Sequence, residues 1–304
     1  MRVGVRCALT LAALTSATPA LAQGDTATSP PTDGNTIIVS GNAAPPDRSE
    51  VYDQARDLTR MEGRTSRLYN EALPRFAAPL CPQVLGLKQD SADAIAARIR
   101  ANAQGLKMRL ADRRHCSPNL IVAFVDDGRS LISGLERSHP QAFSLVPEAE
   151  RSELLTATSP VRVWSSVEPK KANGAPLPRY RGKIAVPGVW GQMNRWFLST
   201  RTDINTALVV FDRDAVLGMT LTQLADYATM RGLTHTRDAS ADEDMETILA
   251  LFAQEGRSPD ALTSFDVGYL RSVYLADASL PAVNRLLNVR QEALKARDEA
   301  PLAP

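Results

Sequence analysis

A chain of 304 residues with 35 basic against 34 acidic side chains has no basic surplus with which to attract nucleic acid or an anionic lipid surface. Its apolar fraction of 44% is ordinary for a globular protein, so a stable fold with a real core is expected. No apolar stretch approaches the roughly 20 residues needed to cross a bilayer as a helix, which excludes a membrane span of that kind.

The chain opens with the three parts of a secretory signal over residues 1–22. Arg2 and Arg6 form a basic start, Cys7 to Leu14 an apolar core, and Ala20-Leu21-Ala22 a small-residue processing site. Cleavage before Gln23 implies a periplasmic or secreted protein with 33 basic and 34 acidic side chains. Lipidation at Cys7 is not expected, because Arg6 precedes it and almost no apolar region lies before it. Residues 23–48 are rich in Pro, Thr, Ser, Gly and Asp around one apolar island, Ile37-Ile38-Val39, and read as a flexible leader.

The remaining residues, 49–304, are expected to form a single α+β domain. Helical periodicity runs from Ser49 to Tyr69 until the prolines at 74, 79 and 82 break it. A second helix fits Ser91 to Gln104, where Ala92, Ile95, Ala96 and Ile99 share a face and Gly105 supplies the stop. Leu106 to Leu110 is a short strand candidate, and Leu120 to Val125 reads as a buried strand. Asp126-Asp127-Gly128 ends that strand, and Asp127 is placed to cap a helix through Leu131, Ile132 and Leu135.

Val161 to Val167, Trp196 to Thr200 and Ala207 to Phe211 are strand candidates, with a loop from Pro169 to Pro187 between them. From Gly218 the pattern is helical. Thr220 with Gln223 and Thr263 with Asp266 have capping-box spacing, opening helices through Arg231 and Leu275, and a last helix runs from Pro281 to about Ala296. This order predicts a central mixed sheet with packed helices to about residue 235 and a helical part after it, not a doubly wound sheet.

Removal of the signal leaves two cysteines, Cys81 and Cys116. In an oxidising compartment their default is a disulfide, closing a loop of about 35 residues and adding about 3–4 kcal/mol in the chain-entropy model. Two free thiols are the alternative; zinc is disfavoured because no histidine stands at ligand spacing.

Generic signatures of phosphate, acyl-transfer or metal chemistry are missing: there is no glycine-rich phosphate loop, nucleophile elbow or paired CxxC. Asp126 and Asp127 follow one strand and Asp212 and Asp214 another, so together they are candidates for a cation site or an acid and base pair; they equally suit turns and helix caps. His115 and His139 read as surface residues. On the helix after Thr220, a zinc-peptidase pattern HExxHxxGxxH laid with its glycine on Gly232 falls on Ala225, Asp226, Thr229, Gly232 and His235. Two ligands are absent from it, so catalytic zinc would not be held. The plain alternative is an amphipathic helix with Leu221, Leu224, Ala225 and Ala228 facing the core and Gly232 as C-cap.

The segments RFAAPLCPQVLGL (Arg75 to Leu87), CSPNLIVAFVDDG (Cys116 to Gly128) and LADYATMRGL (Leu224 to Leu233), with IIVSG (Ile37 to Gly41), resemble an uncharacterised family of exported proteins from alphaproteobacteria. More remotely, Leu224 through LTSFDVGYLRSVY (Leu262 to Tyr274) is similar to a broader proteobacterial family of unknown function, whose corresponding helix looks descended from a zincin. The resembled family brings no established activity with it. With two zinc ligands missing from the helix, the leading expectation is a non-catalytic periplasmic or secreted protein with a degenerate zincin-like α+β core, without cofactor or bound metal, acting by binding an unidentified protein or envelope component. The competing expectation is a periplasmic hydrolase using Asp126 and Asp212.

Overall fold

Two uninterrupted apolar runs, Leu120 to Val125 and Ala207 to Phe211, would expose apolar side chains on either face unless both faces were covered, and parallel central strands meet that condition. The computed structural model describes residues 47–61, 69–144, 146–181, 183–184, 197–240, 246–253 and 258–299, all in the unit Asp33–Pro304. The expected signal peptide and the Ile37-Ile38-Val39 island lie outside the described residues, as does Trp196.

The helices are α1 (Arg48–Leu58), α2 (Gln89–Gly105), α3 (Gly128–Ser138), α4 (Glu148–Thr156), α5 (Leu221–Leu233), α6 (Ser264–Tyr274), α7 (Ala282–Leu286) and α8 (Val289–Glu299). The strands are β1 (Arg75–Phe76), β2 (Pro82–Leu85), β3 (Leu120–Val125), β4 (Val161–Lys171), β5 (Arg179–Tyr180), β6 (Lys183–Ile184) and β7 (Thr200–Asp212). β3 lies parallel to β7 with Leu120 opposite Ala207, and β2 extends the sheet parallel to β3 with Pro82 opposite Leu120. β1 pairs parallel to the start of β7, Arg75 opposite Asp203. Along its other edge β7 carries β4, antiparallel from Val161 opposite Phe211 to Lys171 opposite Thr200. β5 and β6 form a separate two-stranded hairpin.

Alternation along the strands divides the core. Leu120, Val122 and Phe124 of β3 and Ala207, Val209 and Phe211 of β7 pack with Ile95 and Ile99 of α2 and with α5, whereas Ala123, Leu208 and Val210 pack with Ile132 of α3 and Leu154 of α4. The result is a mixed α/β fold, a largely parallel sheet with helices on both faces.

Several elements differ from the sequence expectation. α1 ends at Leu58 because Thr59 turns extended and bridges Thr236, Arg60 N donating to His235 O (2.8 Å) and Arg237 N to Leu58 O (2.8 Å). The stop of α2 is not Gly105, which sits in its last turn, but Lys107, whose φ of 56° reverses the chain. Residues 106–110 make one parallel bridge, Leu80 to Leu110, rather than a strand. β4 runs on through Pro169, which an edge strand tolerates on its unpaired side. The last expected helix is two, α7 and α8, and Gly268 of α6 lets α8 approach so closely that a Cβ there would lie 2.6 Å from Ala293 N. Cys81 and Cys116 form the expected disulfide, Cα atoms 6.1 Å apart.

Candidate functional site

Helix α5 opens with the Thr220–Gln223 capping box, and every residue from Leu224 to Leu233 is buried. It is therefore wrapped on all sides and not amphipathic as read from the sequence; Leu221, expected on the core face, is exposed. Such burial demands a partner for each polar side chain. Asp226 takes four donors: Arg98 Nε (2.8 Å) and Nη2 (2.9 Å), Asn102 Nδ2 (2.7 Å) and Leu262 N (2.9 Å). Thr229 Oγ1 donates to Ala225 O (2.8 Å) and accepts from Asn102 Nδ2 (3.0 Å). The carboxylate thus ties α5 to α2 and to the entry of α6.

Gly232 lies inside α5, and the C-cap is Thr234. A Cβ on Gly232 would come within 2.5 Å of Leu120 Cδ1, so the glycine serves close packing of α5 on β3. On the adjoining face Tyr227 and Arg231 both donate to Asp238. Burial would lower the Arg231 guanidinium pKa, but Asp238, Tyr227, Glu153 and Glu150 hold it above its ordinary value.

His235, just past α5, lines a pocket of about 490 Å³ with Arg60, Glu150, Ser165 and Arg237. Its Nε2 is 3.5 Å from Glu150 Oε2 and its Nδ1 3.4 Å from Ser165 Oγ. Arg60 closes the other side, 3.7 Å from Glu150 and 2.5 Å from Glu153. Burial would raise the Glu150 carboxyl, yet the His235 hydrogen bond and charge, with Arg60 and Arg231 behind it, hold it below the ordinary glutamate value.

Comparison with family models, curated proteins and solved structures finds no match. What the site can do therefore rests on its own geometry. Of the five positions on which the zinc-peptidase pattern fell, Ala225, Asp226 and Thr229 are fully buried, and Asp226 faces Arg98 and Asn102 while His235 faces Glu150 and Ser165. These residues do not fit a zinc ion, and among the described residues no group of three or more His, Cys, Asp or Glu side chains is arranged to hold a metal.

The four candidate carboxylates are partly gathered. Asp126 and Asp127 follow Val125, the register partner of Asp212. Asp127 caps α3 by accepting from Ser130 N (3.0 Å), while Asp212 accepts from Gly128 N (2.7 Å) and pairs with Arg162 at 3.3 Å. Exposed Asp126 pairs with Arg213, and exposed Asp214 sits in the following 3-10 turn. His115 and His139 are both exposed. Glu150, Ser165 and Arg60 have no distinguishing sequence pattern: they come from three separate segments that the fold brings together beside His235.

Proposed function

We propose that this is an exported, non-catalytic binding protein with a degenerate zinc-peptidase-like core, and that the pocket beside His235 receives a segment of a protein or envelope component. The secretory pattern of residues 1–22 supports export, and the helix laid beneath a sheet with an antiparallel edge strand suits the ancestry. One observation carries the reading: the acidic residue on the motif helix, Asp226, is committed to Arg98, Asn102 and Leu262 N, so it holds the fold together instead of facing a ligand. The carboxylate-hydrolase reading has less support, since Arg213 holds Asp126 while Arg162 and Gly128 N hold Asp212.

The test is in-cell cross-linking and capture of the mature chain, beside metal analysis of the purified protein. A specific partner whose recovery falls in His235→Gln, with no stoichiometric zinc, supports the proposal; zinc at one equivalent, or peptide cleavage by the isolated chain, overturns it.

The Ser165–His235–Glu150 contact favours a second reading, a serine hydrolase. In it His235 Nδ1 takes the Ser165 proton and Glu150 orients the ring. Covalent labelling by a fluorophosphonate that Ser165→Ala abolishes would decide for it, and an unlabelled, folded chain against it.

A further inference from the structure

A near-neutral chain gives no reason for cations to collect, yet they do so at the start of β7. A second pocket, of about 300 Å³, is walled by Arg75 of β1, Lys107 and Arg109 after α2, and Arg201 of β7, with Asp203 the single carboxylate among the described residues that line it. That carboxylate is already shared: Arg201 Nη2 donates to its Oδ2 at 2.9 Å and Lys170 reaches it at 3.4 Å, while Arg201 Nε lies 2.9 Å from Oδ1 without completing a hydrogen bond. Exposed Lys107 and Arg109 have no carboxylate partner among the described residues; Arg109 Nη2 donates to Ala77 O (2.9 Å).

Arg75 is the inner wall. Its Nη1 donates to Val273 O (3.0 Å) and Ala276 O (2.9 Å), at the end of α6, while no acceptor among the described residues takes its Nε or Nη2. Burial and the nearby Arg201 charge push its guanidinium below the ordinary arginine value, against Tyr274 and Asp203, which raise it. An anion entering the pocket would relieve that repulsion and accept the free donors.

We infer that this pocket binds a compact phosphate-bearing anion, a phosphomonoester whose oxyanion lies between Arg75, Lys107 and Arg109. Guanidinium forks match tetrahedral oxyanions, and a site with several unpaired cations favours a dianion over a single carboxylate. The pocket has room for a phosphate with a small organic part beside Phe76 and Tyr274. Two walls are held by the fold: Lys107 by its left-handed turn, and the segment carrying Arg109 by the Leu80–Leu110 bridge, with the Cys81–Cys116 disulfide one residue beyond Leu80.

The experiment is isothermal titration of the mature protein with inorganic phosphate and with glycerol phosphate, and flotation with vesicles containing phosphatidic acid. Lys107→Asn/Arg109→Gln is the variant, since both side chains are exposed and asparagine accepts the left-handed turn. Binding of a free phosphate that weakens with added salt and falls at least tenfold in the variant supports the site, one lost charge-assisted contact being sufficient for that factor and two for about a hundredfold. Variant-sensitive flotation without binding of the free ester also supports it and places the phosphate on a lipid headgroup. No binding of any probe up to about 10 mM, far weaker than such a cluster of charge-assisted contacts should give, overturns it. So does binding that the folded variant retains in full.

Discussion

Asp226→Asn preserves the shape of the side chain and removes its charge. Arg98, only 14% exposed, then loses its bidentate partner, and the amide NH2 must replace an acceptor that now serves Asn102 Nδ2 or Leu262 N. Breaking a buried charge pair from one side costs about 3–5 kcal/mol, because the remaining charge stays desolvated. In a domain of this size each kcal/mol moves the midpoint by about 2–4 °C, so Tm should fall by roughly 6–20 °C. Circular dichroism melts and urea titrations of wild type, Asp226→Asn, Arg98→Met and the double variant measure this directly. The double variant should be less destabilised than the sum of the singles, with a coupling of about 1–3 kcal/mol. A variant within about 0.5 kcal/mol of wild type, the scatter of ordinary surface substitutions, would refute the structural role assigned to Asp226.

The Asp266 carboxyl is raised by burial from 3.8 to about 6, against hydrogen bonds from Thr247, Ile248 N and Thr263 that favour its charged form. The folded state therefore binds the proton more tightly than the unfolded chain, and this group's contribution to stability falls as pH rises from about 4 to about 6. Urea unfolding should show wild type losing about 3 kcal/mol relative to Asp266→Asn across that window, the value of a shift of about two pH units. Glu150 has the opposite sign: its contribution is present above the ordinary glutamate value and lost as pH falls through its lowered pKa, so Glu150→Gln should remove part of the acid limb of a stability–pH curve. Reducing the Cys81–Cys116 disulfide should lower unfolding free energy by about 3–4 kcal/mol, read as a shift in urea midpoint with dithiothreitol. Gly268→Ala should cost about 1–3 kcal/mol despite the gain in helix propensity, because the added methyl meets backbone atoms of α8 at Ala293 and Val289; thermal melts check it.

The legible features were those decided within a few residues. Apolar runs gave away β3 and the end of β7; Asp127, Thr220 with Gln223, and Thr263 with Asp266 cap helices as their spacing predicts, since a cap needs only its own first turn. The sheet's outer members were not legible. β2 is four residues long and is a strand only because β3 lies beside it, and the extension of β4 through Pro169 depends on its being an edge. Local pattern makes Gly232 a cap, where a glycine is common; its deciding neighbour, Leu120, is more than a hundred residues away along the chain.

The site divides in the same way. Sequence alone determined that the helix ending at Leu233 lacks the paired histidines of a zinc peptidase, which follows from residue type, and it made a Cys81–Cys116 disulfide the expectation over two free thiols; the fold brings the two cysteines together. Only the tertiary structure decided that Asp226 turns inward to Arg98, that Glu150 and Ser165 flank His235, and that Arg75, Lys107, Arg109 and Arg201 surround one cavity. The physical reason is range: a cap or a strand pattern is stabilised by neighbours in the chain, whereas a buried charge or a pocket is defined by segments that folding alone brings together.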